Sequence, residues 1–213
     1  MKERPILFSG PMVRAILEGR KTQTRRVVDF DRVGTTKDYQ VERGCFGADG
    51  FDIIEFGGPQ QRIIRKPWTA DHIKAWLKCP YGQPGDRLWV RETWSQVPEY
   101  KPVPYPENCP KVYYRADNDR PTWAERPWRP SMFMYRWASR ITLEIVSVRV
   151  ERLQEISEND AKAEGVKAHL ELNTDGWRTL VDDYKDLWES INSKSHPWDS
   201  NPFVWCIEFR RLQ

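Results

Sequence analysis

Residues 141–150 read ITLEIVSVRV, and this stretch decides the fold that the sequence predicts. Apolar residues stand at positions 141, 143 and 145 and then, in the opposite phase, at 146, 148 and 150. Alternation with a period of two indicates a β-strand that buries one face. A strand that keeps the same face on the core changes phase where it carries an extra residue. We therefore predict one long strand with a β-bulge near Ile145.

Sequence patterns on both sides of this strand predict its neighbours. Residues 87–93 read RLWVRET and are predicted to form a strand. The turn-rich stretch 80–86 leads into it. The alternating apolar residues of 203–209 predict a closing strand. A short strand is also expected at 112–115, and a hairpin within 29–65.

Three helices are predicted from their ends and their periodicity. A proline and a glycine suit the two ends of a short helix over residues 9–19. Ser157 and Asp160 have the spacing of a capping box, which opens a helix ending near Gly165. The apolar residues of 176–192 fall on one helical face. This mixed order favours an α+β fold, a small β-barrel flanked by helices, over a doubly wound sheet.

Length and composition favour one elaborated domain of moderate charge. The chain has 213 residues, a mass of 25.3 kDa and a mean hydropathy of −0.76, so it can bury a core without disulfides. Residues 98–130 hold eight of the sixteen prolines, which is typical of an irregular segment packed on the surface. The net charge of +3 permits an anionic partner but lacks the strong excess of a nonspecific nucleic-acid binder.

Several classes of protein and of site are not indicated. No stretch approaches the roughly 18 apolar residues of a membrane span, and the first residues show no signal peptide, so we expect a cytoplasmic protein with no membrane partner. The four cysteines form no CxxC pair and the three histidines are scattered, so we expect free thiols, no metal and no cofactor. The sequences GxGxxG, GxxxxGK[ST], HExxH and GxSxG do not occur, which weakens dinucleotide, nucleotide, zinc-protease and α/β-hydrolase interpretations.

Residues 19–26 read GRKTQTRR and are the densest candidate for chemistry. Lys21 and Thr24 lie three residues apart after a predicted helix end, and a lysine can act as base for a hydroxyl nucleophile when its pKa is lowered. The arginines at 20, 25 and 26 put like charge nearby, which disfavours the ammonium form. A solvated basic turn and a phosphate-contacting loop are the alternative interpretations.

Four stretches of the chain resemble the ASCH domain, a branch of the PUA-like superfamily. Residues 17–26, LEGRKTQTRR, are similar to its first signature, and residues 84–92, PGDRLWVRE, to its second. Residues 153–166 resemble the helical segment after its long strand, and residues 203–212 its final strand. The resemblance implies a PUA-like β-barrel flanked by helices, as one domain over 1–213.

Two regions have no counterpart in the smallest members of that family. They cover roughly residues 29–79 and 98–135, and we expect them to be insertions. The larger form with its eleven tryptophans resembles ASCH proteins carried by phages and prophages.

The resemblance also implies an activity. The family includes a small bacterial amidohydrolase that acts on N(4)-acetylcytidine with a lysine, a threonine and a glutamate. These roles fall on Lys21, Thr24 and Glu164. Thr24 would attack the acyl carbonyl of a nucleoside substrate, and a neutral Lys21 would take its proton. Glu155 and Glu158 are alternatives to Glu164, which would otherwise be an exposed residue at a helix C-terminus.

A conflict lies within this catalytic set. A carboxylate beside Lys21 raises the pKa of the lysine, whereas a base must have a lowered pKa. Burial and the neighbouring arginines would have to outweigh Glu164, or Glu164 would act on the cytosine edge of the substrate instead. An oxyanion intermediate also needs donors, for which the backbone N–H groups after Thr24 or Arg26 are candidates.

Substrate-binding residues are expected around the two signatures. Phe8 and Trp89 are candidates for the pocket wall and Arg26 for substrate contact, whereas Trp94 suits the core. Arg91 would either pair with Glu92 on the strand surface or contact a base edge. The aromatic residues of 135–137 would form a rim or pack.

A binding module is the alternative to the hydrolase. PUA-like domains are commonly RNA binders, so the chain would then bind RNA or a modified base, or act as a ribonuclease. The modest net charge and the set of Lys21, Thr24 and a helical glutamate together favour the hydrolase.

Overall fold

The computed structural model describes residues 1–29, 39–40, 51–55, 62–66, 78–96, 112–117, 127–167, 172–173 and 176–212. Its helices and strands, in chain order, are β1 (Glu3–Leu7), α1 (Gly10–Leu17), β2 (Gln23–Val27), β3 (Tyr39–Gln40), β4 (Phe51–Glu55), β5 (Arg62–Lys66), β6 (Arg87–Arg91), β7 (Trp94–Gln96), β8 (Val112–Tyr114), β9 (Thr142–Arg152), α2 (Glu158–Ala163), β10 (Leu172–Asn173), β11 (Gly176–Trp177), α3 (Leu180–Asn192) and β12 (Phe203–Leu212).

A five-stranded sheet in the order β1-β6-β9-β12-β2 is the centre of the molecule. Strands β1 and β6 are parallel, and the other neighbours are antiparallel. Smaller sheets are formed by β3-β4-β5, by β7-β8 and by β10-β11. The class is therefore mixed α+β, with few helices, and the strands predicted near 87–93, 112–115 and 203–209 are present.

The long strand β9 carries the predicted bulge. Ser147 pairs with Glu208, whereas Ile145 pairs with Phe209, so Val146 is the extra residue of the bulge. Val146 is exposed while Ile145 is buried, which explains why the apolar pattern changes phase at this point. The prediction of a bulge near Ile145 is confirmed.

The predicted β-barrel is not closed over the described residues, where the central sheet has β1 and β2 as its edges. The start of the β2 edge is occupied by the end of α2. Lys21 and Glu164 form an antiparallel bridge there, and the Thr22 N–H donates to the Ala163 carbonyl over 2.8 Å. The Arg26 side chain then connects β2 to β1 by donating to the Leu7 carbonyl over 2.6 Å.

Two apolar cores lie on opposite faces of the sheet. Alternate residues of β12 point to different cores, because successive side chains of a strand face opposite ways. The first core holds α1, and its buried residues include Ile6, Phe8, Val13, Ile16, Leu88, Val90, Leu143, Ile145, Trp205, Ile207 and Phe209. The second core holds α2 and α3, and its buried residues are Leu153, Ile156, Ala161, Tyr184, Trp188, Trp198, Val204 and Cys206.

The helix ends follow their capping residues. Ser157 caps α2 in the predicted capping box with Asp160. The helix predicted over 176–192 begins only at Leu180, because Thr179 caps it in a box with Asp182. Residues 176–177 form β11 instead.

Parts of the predicted insertions at 29–79 and 98–135 lie outside the described residues. The hairpin expected within 29–65 corresponds to β4 and β5, which pair antiparallel. Cys79 and Cys206 are free thiols, and Cys45 and Cys109 fall outside the described ranges.

Candidate active site

The edge strand β2 determines which way the side chains of the GRKTQTRR motif point. Thr24 pairs with Ile207 of the first core, and Arg25 pairs with Cys206 of the second core. Paired residues of a ladder face the same side. Thr24 and Arg26 therefore face the first core, whereas Arg25 faces the second.

Lys21 lies just before β2 and is completely buried. Its side chain is 0% exposed, and Nζ donates to the Glu164 carboxylate Oε2 over 2.6 Å and to the Glu164 carbonyl over 2.9 Å. Nζ also lies 5.8 Å from the centre of the Phe8 ring. The solvated basic turn considered from the sequence is therefore not what this residue forms.

The contact between Lys21 and Glu164 depends on a glycine. Gly165 has φ +84°, and a Cβ built there would lie 2.9 Å from the Cβ atoms of Ala15 and Lys21. The chain can turn this closely past Lys21 because glycine has no side chain and accepts a positive φ. Arg20 adds a further contact by donating to the Gly165 carbonyl over 2.7 Å.

The pKa of Lys21 is lowered from its ordinary value. Burial is the main cause, since it disfavours the ammonium form. Glu164 opposes this by raising the pKa, and the positive charges of Arg26 and Arg25 lower it further. The conflict noted in the sequence is thus resolved in favour of burial. Arg20, also expected to contribute, pairs with Glu18.

Among the three candidate glutamates, Glu164 is the one that contacts Lys21. Glu155 accepts from the Arg152 backbone N–H, and Glu158 accepts from the N–H groups of 180 and 181 at the start of α3. Glu164 follows the last residue of α2 and is buried, with 4% exposure, rather than exposed as a helix end.

Arg25 is a buried residue of the site that the sequence analysis treated only as a nearby charge. Its side chain is 0% exposed. Nη2 lies 3.1 Å from Glu151 Oε2 and 3.3 Å from Asp160 Oδ2, and Nη1 lies 3.6 Å from Glu164 Oε1. The guanidinium also sits 6.0 Å from the centre of the Tyr184 ring.

A cavity of about 420 Å³, including the part open to solvent, lies between β2 and α3. Thr24, Arg25 and Glu164 line it on one side, and Tyr184 and Leu187 on the other. Thr24 itself is 1% exposed. The cavity brings the predicted nucleophile and the predicted glutamate to one space.

The register of β2 also fixes the direction of its backbone N–H groups. Thr22 accepts from the Phe209 N–H, and the Val28 N–H donates to the Phe203 carbonyl. In an antiparallel ladder every second residue of a strand is hydrogen-bonded to its partner strand, so residues 22, 24, 26 and 28 bond to β12. The N–H groups of Arg25 and Val27 therefore point away from β12, to the free edge of the sheet. Both residues line the cavity.

The other predicted pocket residues divide between the two faces of the sheet. Phe8 and Arg26 join the site, with the Arg26 guanidinium 5.3 Å from the centre of the Phe8 ring. The Arg91 guanidinium lies 4.6 Å from the centre of the Trp89 ring. These two residues alternate along β6 with Leu88 and Val90, which belong to the first core. Trp89 and Arg91 therefore point to the opposite face of the sheet from Thr24.

The ion pair considered between Arg91 and Glu92 is not formed in the described structure. Neighbouring residues of an extended chain point to opposite sides. Glu92 is buried and accepts from Arg140 over 2.9 and 3.0 Å, whereas Arg91 donates to the Met132 carbonyl. Trp94 is fully buried, as predicted.

No group of three or more histidine, cysteine, aspartate or glutamate side chains that could hold a metal ion occurs among the described residues. Within the same part of the chain, no helix is both long and apolar enough to cross a membrane. Comparison of the chain with family models, with curated proteins and with solved structures finds no match.

Proposed function

We propose that this chain is a metal-independent amidohydrolase that removes the acyl group from N(4)-acylated cytidines on a PUA-like scaffold. The observation that carries the proposal is the buried amine of Lys21, whose pKa is lowered and whose partner Glu164 lines one cavity with Thr24. A hydroxyl nucleophile and a lysine base are a pair of groups that can cleave an amide.

The hydrogen bonds of Lys21 suit a neutral base. A neutral amine has two N–H groups, and two acceptors, the Glu164 carbonyl and carboxylate, contact Nζ. With both hydrogens engaged, the lone pair is directed elsewhere, and in the proposed reaction it takes the Thr24 proton. Glu164 is then a positioning residue for Lys21 as well as part of the cavity wall.

The proposed reaction has two steps. Thr24 Oγ attacks the acyl carbonyl while Lys21 takes the hydroxyl proton. Collapse of the tetrahedral intermediate breaks the C–N bond, and Lys21 returns the proton to N4 of the leaving cytidine. Water then attacks the Thr24 ester with Lys21 again as base, which releases the carboxylic acid and restores the hydroxyl.

The oxyanion of each intermediate needs donors at the same place. The Arg25 backbone N–H follows the nucleophile directly and points to the free edge of β2, and the Val27 N–H has the same orientation. Fixed backbone donors of this kind stabilise developing negative charge without reorganisation.

The PUA-like assignment rests on the sequence resemblance and is compatible with the mixed sheet. The first signature becomes the end of α1 and strand β2, the second becomes β6, and the third becomes α2 beside the first. The two ends of the chain meet in the pairing of β2 with β12.

The direct test is to mix the purified protein with N(4)-acetylcytidine and follow the ultraviolet spectrum. We expect conversion to cytidine, with acetate as the second product. Full activity after treatment with a chelator is also expected. A protein that folds but leaves acetylcytidine unchanged would overturn the proposal.

RNA binding is the second candidate, and one observation favours it. Tyr135 and Trp137 are 57% and 59% exposed, and their two rings stack on each other with centres 6.3 Å apart. Both rings also contact the buried Trp94 edge to face. Exposed aromatic faces can stack on bases. Salt-dependent binding of RNA without any turnover of acetylcytidine would select this function instead.

A further inference from the structure

We propose that Arg25 determines substrate specificity, because its Nη1 donor and the Glu164 Oε1 acceptor together recognise the N–H and ring-nitrogen edge of an acylated cytosine. This inference rests on the proposed amidohydrolase function and assigns the base-recognising part of the same site. It gives Arg25 a role separate from that of Lys21 and Thr24, since it concerns which amide enters rather than how it is cleaved.

Buried polar atoms that make no hydrogen bond in the wall of the cavity are the first evidence. Nε and Nη1 of Arg25 and Oε1 of Glu164 are buried and have no hydrogen-bond partner, and both residues are 4% exposed. Burying a donor or acceptor without a partner is costly. Because both residues line the cavity with Thr24, a ligand there can supply the missing partners.

The neighbouring charges indicate that this ligand is neutral. The Arg25 guanidinium already lies within 3.3 Å of the carboxylates of Glu151 and Asp160, both of which Arg149 also contacts. Arg25 is therefore compensated in charge, and an anion placed here would meet these carboxylates and Glu164. A planar group with its own donor and acceptor fits better than a phosphate.

The spacing of the two groups fits the edge of an acylated cytosine. Arg25 Nη1 and Glu164 Oε1 lie 3.6 Å apart, so one donor and one acceptor stand side by side. The cytosine edge presents N4–H beside the acceptor N3, and carboxylates commonly accept from the N4 group while arginine donates to ring acceptors. In this proposal Thr24, which lines the same cavity, attacks the acyl group on N4.

Arg25 can take this role while it keeps its ion pairs with Glu151 and Asp160, since the Nη1 contact with Glu164 at 3.6 Å is too long for a hydrogen bond. Nη2 makes both contacts with Glu151 and Asp160, which leaves Nη1 and Nε. The Tyr184 ring beside the guanidinium limits how far it can turn. Recognition by a prepositioned donor loses little conformational entropy on binding.

The test compares three amides that differ in the edge they present. Acetanilide has the amide N–H but no ring nitrogen, 2-acetamidopyridine has both, and N(4)-acetylcytidine adds the rest of the base and sugar. Values of kcat/KM are measured for the wild type, Arg25→Met and Arg25→Lys. Each variant is compared with the wild type on the same substrate, so differences in leaving-group reactivity between the three amides cancel.

We expect Arg25→Met to lower kcat/KM by about 10- to 100-fold for acetamidopyridine and acetylcytidine. Loss of the Arg25 charge also affects Lys21 and so lowers the rate for every substrate, and acetanilide, which offers nothing to Nη1, measures this shared loss. The loss of about 10- to 100-fold is therefore expected relative to acetanilide. Arg25→Lys, which keeps the charge between the carboxylates, should show the same selective loss if the first variant folds poorly. An equal loss on all three substrates, or no loss, would overturn the inference.

Arg149→Met is the matched control. Arg149 contacts the same two carboxylates, with Nη2 2.6 Å from Asp160 Oδ1, but does not line the cavity. Its removal should change the three substrates by the same factor, because it disturbs only the shared ion pairs. A selective loss in this variant would assign the selectivity to the network and overturn the role of Arg25.

Calorimetric titration with cytidine separates this inference from the proposed function. If the wild type cleaves none of the amides, the proposed function fails, and cytidine binding weakened at least 10-fold by Arg25→Met would still support base recognition. Absence of turnover together with cytidine binding that does not depend on Arg25 would overturn both.

Discussion

At the scale of the residue, burial controls what Lys21 can do. The side chain lies beside Phe8, Ala15 and Glu164. Two oxygens of Glu164 replace water as the hydrogen-bond acceptors of its amine. Removing water disfavours the ammonium form more than the single carboxylate restores it, which is why the pKa is lowered. The lowered pKa makes Lys21 more readily deprotonated than an exposed lysine.

Substitutions at the two reacting groups should separate base catalysis from a structural role. Thr24→Ala removes the attacking oxygen and Lys21→Arg replaces the amine with a group that stays protonated, so each should lower kcat for acetylcytidine by about 10²–10⁴-fold. Thr24→Ser keeps the oxygen and should retain measurable turnover. Thermal unfolding of each variant checks the fold, and near-normal turnover by Lys21→Arg would remove Lys21 as the base.

The pH dependence of the rate should follow Lys21. In the proposed mechanism the neutral amine is the active form, so kcat/KM should rise with pH through the lowered pKa of Lys21. Glu164 raises that pKa, so Glu164→Gln should move the rising limb to lower pH. A limb that stays in place, with a change in KM alone, would instead restrict Glu164 to contact with the substrate.

At the scale of the element, the site depends on how the end of α2 meets the start of β2. The Thr22 N–H and the Lys21–Glu164 bridge attach α2 to an edge strand, and β12 holds the other side of that strand. An edge has backbone groups that no neighbouring strand uses. Here that property supplies both the anchor for α2 and the candidate oxyanion donors.

Two glycines provide a matched test of this junction. Both have positive φ, +74° at Gly19 and +84° at Gly165, but a Cβ at Gly19 meets nothing within 4 Å. Gly19→Ala should cost about 1–2 kcal/mol of the free energy of unfolding from the backbone alone. Gly165→Ala should cost about 1–3 kcal/mol more, because the methyl group overlaps Ala15 and Lys21.

Urea unfolding measures both glycine variants, and the acetylcytidine assay adds a second readout. Gly165→Ala should also lose activity, since Lys21 must shift away from the new methyl group, whereas Gly19→Ala should not show a comparable loss. Equal stabilities and equal activities for the two variants would contradict the close approach at Gly165.

At the scale of the whole molecule, a network of charges connects the sheet to α2. Arg25 of β2 and Arg149 of β9 both contact Asp160 in the first turn of α2, and Glu151 lies between the two arginines. Burial raises the pKa of Asp160, but hydrogen bonds from Ser157 and the charges of Arg25 and Arg149 outweigh it and lower the pKa to about 2. The network therefore favours the ionised carboxylate in the folded state.

Acid should weaken the protein through this residue. The folded pKa of Asp160 lies below its ordinary value of 3.8, so the unfolded chain binds the proton first as the pH falls. The contribution, about 1 kcal/mol after allowance for solvent screening of this partly exposed residue, should be present above pH 3.8 and be lost as the pH falls through about 2. Urea unfolding between pH 5 and pH 2 measures it.

Asp160→Asn is the control for this acid dependence. The amide still accepts from Ser157 but cannot titrate, so the variant should be less stable at neutral pH and should lose less stability on acidification than the wild type. Parallel acid profiles for the two proteins would assign the dependence to other carboxylates.

The sequence by itself determined those features that depend on neighbouring residues. The phase change in 141–150 placed the bulge of β9, the Ser157 capping box placed the start of α2, and the resemblance picked out Lys21, Thr24 and Glu164. Strand period and helix caps are set within a few residues, so they can be read without knowing what packs against them.

Only the tertiary structure decided the features that depend on distant pairings. The all-polar stretch 20–26 hides the strand period, so the inward direction of Arg25 came from its pairing with Cys206. The face to which Trp89 points and the open sheet likewise follow from which segments lie together. A glutamate 143 residues away from Lys21 reaches it because the end of α2 lies against the start of the edge strand β2. Such contacts are set by long-range packing, which no local pattern in the chain encodes.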